Sequence, residues 1–374
     1  MMSTKPRGTA SARNSLRKLR HSLQLSLTIP WRRAIGDRLG MVVAPAVALI
    51  YPLTLKLFND AVVSVEASHG SYLLILLAAF ILLLSFAVPA TALVMALRLG
   101  AIESPTVAQL RARRIAMLAV AAPTILVFLG VLVFMAGNPI PDVALWTIFW
   151  AGALIFVLLA DNERPAPSDV KPVMPAIRVA HGFSALAIIA IFLGLHLTNH
   201  LTGLIGPETH AQFMKVVRTI YRAKLIEPVL VLLLFFQVGT GLYFAMRYMA
   251  KPMDAFRAFQ VASGMYLAFY VIGHMDSVFI LGRTFLGIET GWDFATGAPV
   301  GLIRGARNIR LLPHYGLGVF FVIAHLFCGL RVVLLAHGAT NPIADRVMIG
   351  GAILGAFIAT AITLGMCGMR VQFV

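Results

Sequence analysis

The sequence predicts an all-α integral membrane protein with about nine transmembrane helices, four in an N-terminal region and five in a C-terminal bundle. Hydrophobic residues make up 59% of the 374 residues, and charged residues make up 12%, about half the roughly 25% of a soluble domain. The mean hydropathy is +0.87. So little polar surface could not cover a soluble core, and the same composition excludes disordered, collagenous and disulfide-stapled classes.

Long apolar stretches set the predicted spans. A hydrocarbon core about 30 Å thick requires roughly 20 apolar residues in a helix. Such stretches lie near 39–64, 71–97, 115–136, 143–160, 179–203, 225–246, 258–282, 312–336 and 347–369. A segment rich in proline and charge at 163–177 interrupts them and predicts a linker. The chain therefore divides into a four-helix membrane region at 38–162 and a five-helix bundle at 178–374.

Basic residues outnumber acidic residues by 31 to 15, which gives a net charge of +16, and residues 1–37 form a strongly basic tail. A cytoplasmic N-terminus gives the cytoplasmic loops roughly twice as many basic residues as the outer loops, in agreement with the positive-inside rule. We therefore expect a multi-pass protein of the bacterial inner membrane, with membrane lipid and not nucleic acid beside its positive charge. The tail also contains an interfacial segment around Leu23–Trp31, and a mitochondrial transit peptide is the alternative interpretation.

The C-terminal bundle carries histidines at membrane depth. Seven of the ten histidines lie there, namely His181, His196, His200, His274, His314, His325 and His337. Ionisable residues in hydrocarbon are costly, so each is a functional hypothesis whose alternative is a hydrogen bond to a neighbouring helix. At 1.5 Å per residue, His196 lies roughly 27 Å from Arg178 and His274 roughly 26 Å from Arg257, which predicts one shared level near the outer face. His325 and Gln237 define a second, deeper level.

Two imidazoles from facing helices at one depth are the ligand set of a b-type haem, whose iron takes two trans nitrogen ligands inside an apolar bundle. The anionic propionates of such a haem require cations near the membrane surface. Arg222 and Arg283 lie in outer loops just beyond the level of His196 and His274. His200, one turn beyond His196, is an alternative ligand, a propionate contact or a helix cap. The sequence therefore predicts haem b, with His196 and His274 as iron ligands.

Four ordered patterns between residues 178 and 370 point to a known family. They are Arg178-x-x-His181 with His196 fifteen residues after the first histidine, Gln237-x-x-x-Gly241-x-Tyr243, Gln260-x-x-Ser263-Gly264 followed by His274, and His325 just before Gly329-Leu330. In these patterns the stretch resembles the five-helix cytochrome b anchor subunits of succinate dehydrogenase and fumarate reductase. The four N-terminal helices lie outside the resemblance.

The resemblance implies a set of haem ligands. His196 and His274 would be the axial ligands of an outer haem, and His325 would be one ligand of an inner haem. Gln237 stands where the second histidine of the inner haem is expected, and glutamine is a poor iron ligand. One filled haem site is therefore expected, with two sites as the alternative.

The resemblance also implies a quinone site near Arg178, His181 and Ser184, whose alternative is an ordinary helix start. Anchors of this family carry electrons between a membrane quinone and a soluble flavin and iron–sulfur subunit, and they are not themselves catalytic. This chain has no cysteine cluster and no glycine-rich dinucleotide motif, and Cys328 and Cys367 lie in apolar stretches. Redox chemistry therefore requires haem, quinone or a partner protein.

Two other classes of function stay open from the sequence. A redox sensor would use the same haem and act through a signalling partner. A haem-free transporter or assembly protein would use polar intramembrane residues for a substrate path, and its features would be Asp276, Glu227 and the broken sequence around Gly273–Gly282.

Overall fold

A computed structural model describes residues 38–167 and 171–372, and within these ranges the chain is helical and forms no strand. In the first part the helices are α1 Arg38–Leu49, α2 Tyr51–Ala67, α3 Tyr72–Gly100, α4 Val107–Val120, α5 Ala122–Met135 and α6 Asp142–Leu158. In the second part they are α7 Pro175–Thr202, α8 Pro207–Tyr221, α9 Ile226–Met249, α10 Ala255–Phe285, α11 Trp292–Thr296, α12 Leu311–Ala336 and α13 Asn341–Met366. The predicted basic tail and its Leu23–Trp31 segment lie outside the described residues.

Six of these helices are long and apolar enough to span a membrane, and the number rises to eight if each of two bent pairs counts as one span. The chain is thus a multi-pass membrane protein, but the predicted count of nine is not confirmed. The axes of α1 and α2 meet at 42°, and those of α4 and α5 meet at 68°. Pro52 and Pro123 lie in the first turns after these breaks, where proline lacks the N–H that would continue a helix. The apolar helix α6 has 17 residues, fewer than a full span.

Local sequence signals account for several helix starts. Thr106 and Gln109 form a capping box at the start of α4, in which each side chain accepts a hydrogen bond from the backbone of the other. Asp254 caps α10 by accepting a 2.7 Å hydrogen bond from the backbone N–H of Arg257. Proline in the first turn, as at Pro175 in α7, fixes a helical φ angle where an N–H is not needed.

The five long helices of the C-terminal half pack as a ring. Going round it, α7 packs on α9, α9 on α10, α10 on α12, α12 on α13, and α13 returns to the C-terminal end of α7. We call this end of the ring the outer end, and the opposite end the inner end, after the predicted orientation. The N-terminal region packs on the outside of α10 through α3, α4 and α5. The ring therefore encloses an interior onto which side chains from several helices project, and the N-terminal helices cover one side of it.

Candidate functional site

The two histidines predicted to share one depth are neighbours across the ring. The imidazole centres of His196 on α7 and His274 on α10 are 6.0 Å apart, with their planes at 69°. Neither side chain makes a hydrogen bond within the described ranges, and both are half-buried. Two imidazoles without hydrogen-bond partners among the described residues therefore lie next to each other at the outer level.

Each of these histidines is supported by an aromatic ring from the preceding helical turn. Phe192 stacks on His196 with ring centres 4.6 Å apart, and Tyr270 stacks on His274 at 5.6 Å with the planes 7° apart. Residues four positions apart lie on one helix face, so each pair fixes the direction of its imidazole. Tyr270 also packs at 4.7 Å on the buried His314 of α12.

A π-helical stretch lies next to each of the two histidines. One covers Ile189–Leu193, just before His196, and the other covers Asp276–Phe285, directly after His274. π-Helical turns interrupt the regular hydrogen-bond pattern and occur often at functional sites. Regular α-helical geometry is therefore interrupted next to both predicted ligands, before His196 in α7 and after His274 in α10.

The outer end of the ring holds a buried polar cluster that the sequence did not indicate. His200 lies between His196 and His210, with ring centres 4.6 Å and 5.4 Å away. The Nε2 atom of His210, on the short helix α8, lies 3.1 Å from the amide nitrogen of Asn199, and its ring packs on Trp292. Burial lowers the pKa of His210 to about 4, and the nearby Arg218 adds to this effect. His210 is therefore neutral at physiological pH.

The predicted propionate cations border a cavity of about 290 Å³ on the outer face. Arg222, Arg283, Glu289 and Thr290 line this outer cavity. Arg283 donates a 2.7 Å hydrogen bond to Glu227, and Arg218 donates one of the same length to Glu289. The Nε atoms of the three arginines are buried and have no partner within the described ranges. Burial, together with the charges of the other two arginines, lowers the pKa of Arg222. The ion pairs therefore give Arg218 and Arg283 a structural role that does not depend on a bound ligand.

The predicted quinone residues lie at the inner end of α7, and two of them face α9. His181 Nδ1 lies 2.7 Å from the hydroxyl of Thr240, and Ser184 is buried. The amide nitrogen of Gln237 donates to the backbone carbonyl of His181 at 2.7 Å and to Ser184 Oγ at 2.6 Å. Arg178 is exposed and makes no side-chain hydrogen bond within the described ranges. The structure thus brings His181 and Ser184 together but leaves Arg178 apart from them.

The predicted inner ligand, His325 on α12, is held by α10. Its Nδ1 atom lies 2.9 Å from Ser263 Oγ. Gly264, the next residue, lets the imidazole approach closely, since a Cβ atom there would be 3.0 Å from His325 Cε1. Both members of the Ser263-Gly264 element found in the sequence therefore contact His325 or its immediate surroundings.

Together, the fold and these clusters define an all-helical, multi-pass membrane protein with imidazoles at two levels inside a five-helix ring. No protein family, curated protein or solved structure matches the chain. The functional assignment therefore depends on the geometry of the ring interior.

Proposed function

We propose that the chain is a membrane cytochrome b that transfers electrons between the quinone pool and a partner subunit. The observation that carries the proposal is the meeting of His196 and His274 across the ring, with ring centres 6.0 Å apart. Two iron–nitrogen bonds of about 2 Å, with about 1 Å from each nitrogen to its ring centre, require a separation of about 6 Å. The residues at the outer level therefore fit haem b in donor type and in spacing.

Each outer residue has a distinct role in this proposal. His196 and His274 would hold the iron through their imidazole nitrogens, and Phe192 and Tyr270 stack on the two imidazoles and restrict their rotation. Arg222 would bind a propionate carboxylate from the outer cavity, whose lining also includes Arg283. A bound haem supplies a one-electron iron couple whose potential depends on its ligands and on burial.

The proposed partners supply what a haem protein needs to exchange electrons, namely a membrane-soluble carrier and a second redox protein. Membrane lipid surrounds the spanning helices, and a quinone is the membrane-soluble electron carrier that such a haem would meet. The Nε2 atom of His181, at the inner end of α7, has no hydrogen-bond partner within the described ranges and can bond a quinone oxygen, whereas the buried Ser184 Oγ already bonds Gln237 and the His181 carbonyl. The second carrier is a soluble flavin or iron–sulfur subunit, or a signalling partner if the haem serves as a redox sensor.

A reduced-minus-oxidised difference spectrum tests the proposal directly. Protein purified from haem-replete cells is expected to show the α-band of a low-spin b haem. His196→Ala and His274→Ala are each expected to lose the outer haem, whereas His337→Ala, which changes an exposed histidine at the end of α12, is expected to keep it. A colourless wild-type preparation would contradict the proposal. Reduction by quinol analogues and identification of co-purifying subunits then separate electron transfer from sensing.

A haem-free transporter is the second candidate function, because one intramembrane carboxylate has no partner. Asp276 Oδ2 is buried in the π-helical part of α10 and accepts no hydrogen bond within the described ranges. An unpaired carboxylate at membrane depth is typical of a proton or cation path. This function requires the colourless preparation described above, together with substrate uptake that is lost in Asp276→Asn.

A further inference from the structure

The charges of the outer cavity do not balance. Arg222 and Arg283 line the cavity, and Arg218 bonds Glu289 on its lining. Glu289 and Glu227 neutralise Arg218 and Arg283, but Arg222 forms no ion pair with any described residue. Burial and the charges of the other two arginines lower the pKa of Arg222, as expected for a cation without a counter-anion. The cavity therefore has one positive charge that no carboxylate of the described chain compensates.

The two arginines on the lining also keep unused hydrogen-bond donors. A guanidinium has several N–H groups. Arg222 uses one of them, in a 3.4 Å hydrogen bond to Thr290 Oγ1, and Arg283 uses one on Glu227. The remaining donors include the two Nε atoms, which are buried and have no partner among the described residues. Planar guanidinium groups bind phosphate and carboxylate oxygens in pairs, so this lining suits an oxyanion.

The size of the cavity and its place in the fold favour a phosphate group over a single carboxylate. Its volume of about 290 Å³ is several times the roughly 30 Å³ that one water molecule occupies in the liquid, and a carboxylate would leave most of it empty. Arg222 lies four residues before Ile226, the start of α9, and Arg283 lies two residues before Phe285, the end of α10. Both arginines are therefore at the ends of membrane spans, at the level of lipid headgroups.

Exposed apolar residues lie beside the cavity along the chain. Ile288 is on the lining, Phe285 ends α10, and Leu225 follows Arg222 by three residues, and all three side chains are exposed. Acyl chains attached to a phosphate in the cavity would contact such residues. An anionic lipid at this site would also explain why basic residues accumulate in these outer loops, against the positive-inside rule.

We infer that the outer cavity binds a phosphate group, supplied by an anionic phospholipid or by free phosphate, with Arg222 as its main ligand. Arg283 and Thr290 line the same site and supply further donors. The inference goes beyond the proposed function and does not depend on haem. It gives Arg222 a phosphate where the proposed function gives it a propionate. Glu289 also lines the cavity, but its carboxylate is paired with Arg218.

Isothermal titration calorimetry on the delipidated full chain in detergent tests the inference, with dioctanoyl-phosphatidylglycerol as the probe. Arg222→Gln is expected to bind the lipid at least about tenfold more weakly than wild type, because it loses charge-assisted hydrogen bonds. Lys215→Gln removes the same charge from an exposed position on α8, away from the lining, and should bind like wild type. Equal weakening in both variants would indicate a general attraction of anions and overturn the inference.

Two further probes identify the ligand. Weaker binding of inorganic phosphate than of phosphatidylglycerol would assign the site to a lipid, and binding of inorganic phosphate at least as tight would assign it to free phosphate. Both outcomes support a phosphate site. Octanoate binding as tight as that of phosphatidylglycerol, and lost in Arg222→Gln, would identify a carboxylate site and overturn the inference. Failure of wild type to bind either phosphate probe would also overturn it.

A conservative variant applies if Arg222→Gln fails to fold. Arg222→Lys keeps the charge but loses the planar fork, so its affinity for phosphatidylglycerol should still fall severalfold. Unchanged affinity in this variant would contradict Arg222 as the main ligand.

The outcomes separate this inference from the proposed function. His196→Ala, which is expected to lose the outer haem, should bind phosphatidylglycerol like wild type. Lipid binding that appears only in His196→Ala would show that a propionate fills the cavity, and it would overturn the inference. A colourless protein that binds phosphatidylglycerol contradicts the proposed function alone, whereas a haem protein that binds neither phosphate probe contradicts the inference alone.

Discussion

Arg113 Nη1 lies 2.9 Å from the carbonyl oxygen of Met249, the last residue of α9. The same guanidinium, which is fully buried, also donates to the carbonyls of Leu99, Ile102 and Lys251 at 2.8–2.9 Å. These carbonyls lie at the C-terminal ends of α3 and α9, where unpaired oxygens and the helix dipoles favour a cation. One side chain from the N-terminal region thus joins that region to the five-helix ring.

Arg113→Leu is expected to destabilise the protein by about 3 kcal/mol, because four carbonyls lose their donor and two of these hydrogen bonds, to Leu99 and Met249, are fully buried. Arg113→Lys restores the charge but not the planar fork that reaches several carbonyls at once, so it should recover little of the loss. Thermal unfolding in detergent measures both. Arg111→Leu, on the same helix with a partly exposed side chain, is the control and should cost less than about 1 kcal/mol. Equal unfolding temperatures for Arg111→Leu and Arg113→Leu would contradict this account.

A second link between the two halves is the ion pair of Asp142 with Arg310, at 2.6 Å. The carboxylate and guanidinium side chains are 22% and 18% exposed, so little solvent screens their attraction. A double-mutant cycle with Asp142→Asn and Arg310→Met is expected to give a coupling energy of about 1 kcal/mol or more. The matched control is the exposed pair of Lys56 and Asp60, for which we expect less than about 0.5 kcal/mol. Similar coupling in both cycles would refute the role of burial.

The sequence predicted the helical class and the facing of two histidines, because apolar length and residue spacing determine both. His196 and His274 share a level since each lies a similar number of residues from a basic helix start. The number of spans was not predictable in the same way. Pro52 and Pro123 lie at the bends after α1 and α4, but Pro45 and Pro89 lie inside helices without ending them, so neither hydropathy nor the position of proline determines where a span breaks.

Other parts of the site left no trace in a single sequence. His210 lies on a short amphipathic helix outside the spans, and the fold alone brings it to His200 and Asn199. The partners of His181 and His325 are hydroxyls on other helices, 59 and 62 residues away in sequence. Ser263 belongs to one of the four sequence patterns, but that pattern relates it to His274 and not to His325, and nothing in the sequence marks Thr240.

Acidification is expected to destabilise the fold through His210. Its pKa is about 4 in the folded protein and about 6.5 when unfolded, so between these values the unfolded state binds more protons. Stability should therefore fall as the pH drops from 7 towards 4, by at most about 3 kcal/mol from this residue. Unfolding temperatures of wild type and His210→Gln across this range measure the effect. The variant should show the shallower dependence, and parallel curves would exclude His210 as the cause.

Gly264→Ala is expected to destabilise the protein by about 1–3 kcal/mol, because the new methyl group would lie 3.0 Å from His325 Cε1 and displace the imidazole from Ser263. Gly329, on the same helix as His325, has no atom of the described residues within 4 Å of an added Cβ, so Gly329→Ala should leave the unfolding temperature nearly unchanged. Thermal unfolding in detergent compares the two variants. Equal unfolding temperatures would show that the His325 ring can shift without cost.

Deleting Ala190 from the π-helical turn Ile189–Leu193 is expected to restore a regular α-helix in α7. Because the π turn amounts to one inserted residue, the residues after it should keep their positions, and His196 should stay in the ring interior. Under the proposed function, we therefore expect the deletion variant and the length-preserving Ala190→Ser to show the same haem spectrum. Loss of the haem from the deletion variant alone would show that the π turn itself directs His196.

The π-helical turns also affect how this chain should be compared with its relatives. Each such turn amounts to one inserted residue, so a homologue with an unbroken first bundle helix would carry its outer histidine one position closer to the counterpart of Arg178. Its imidazole could still occupy the same point in space. Alignments that forbid a gap inside a membrane helix would then pair the histidine with a leucine and conclude that the ligand had been lost.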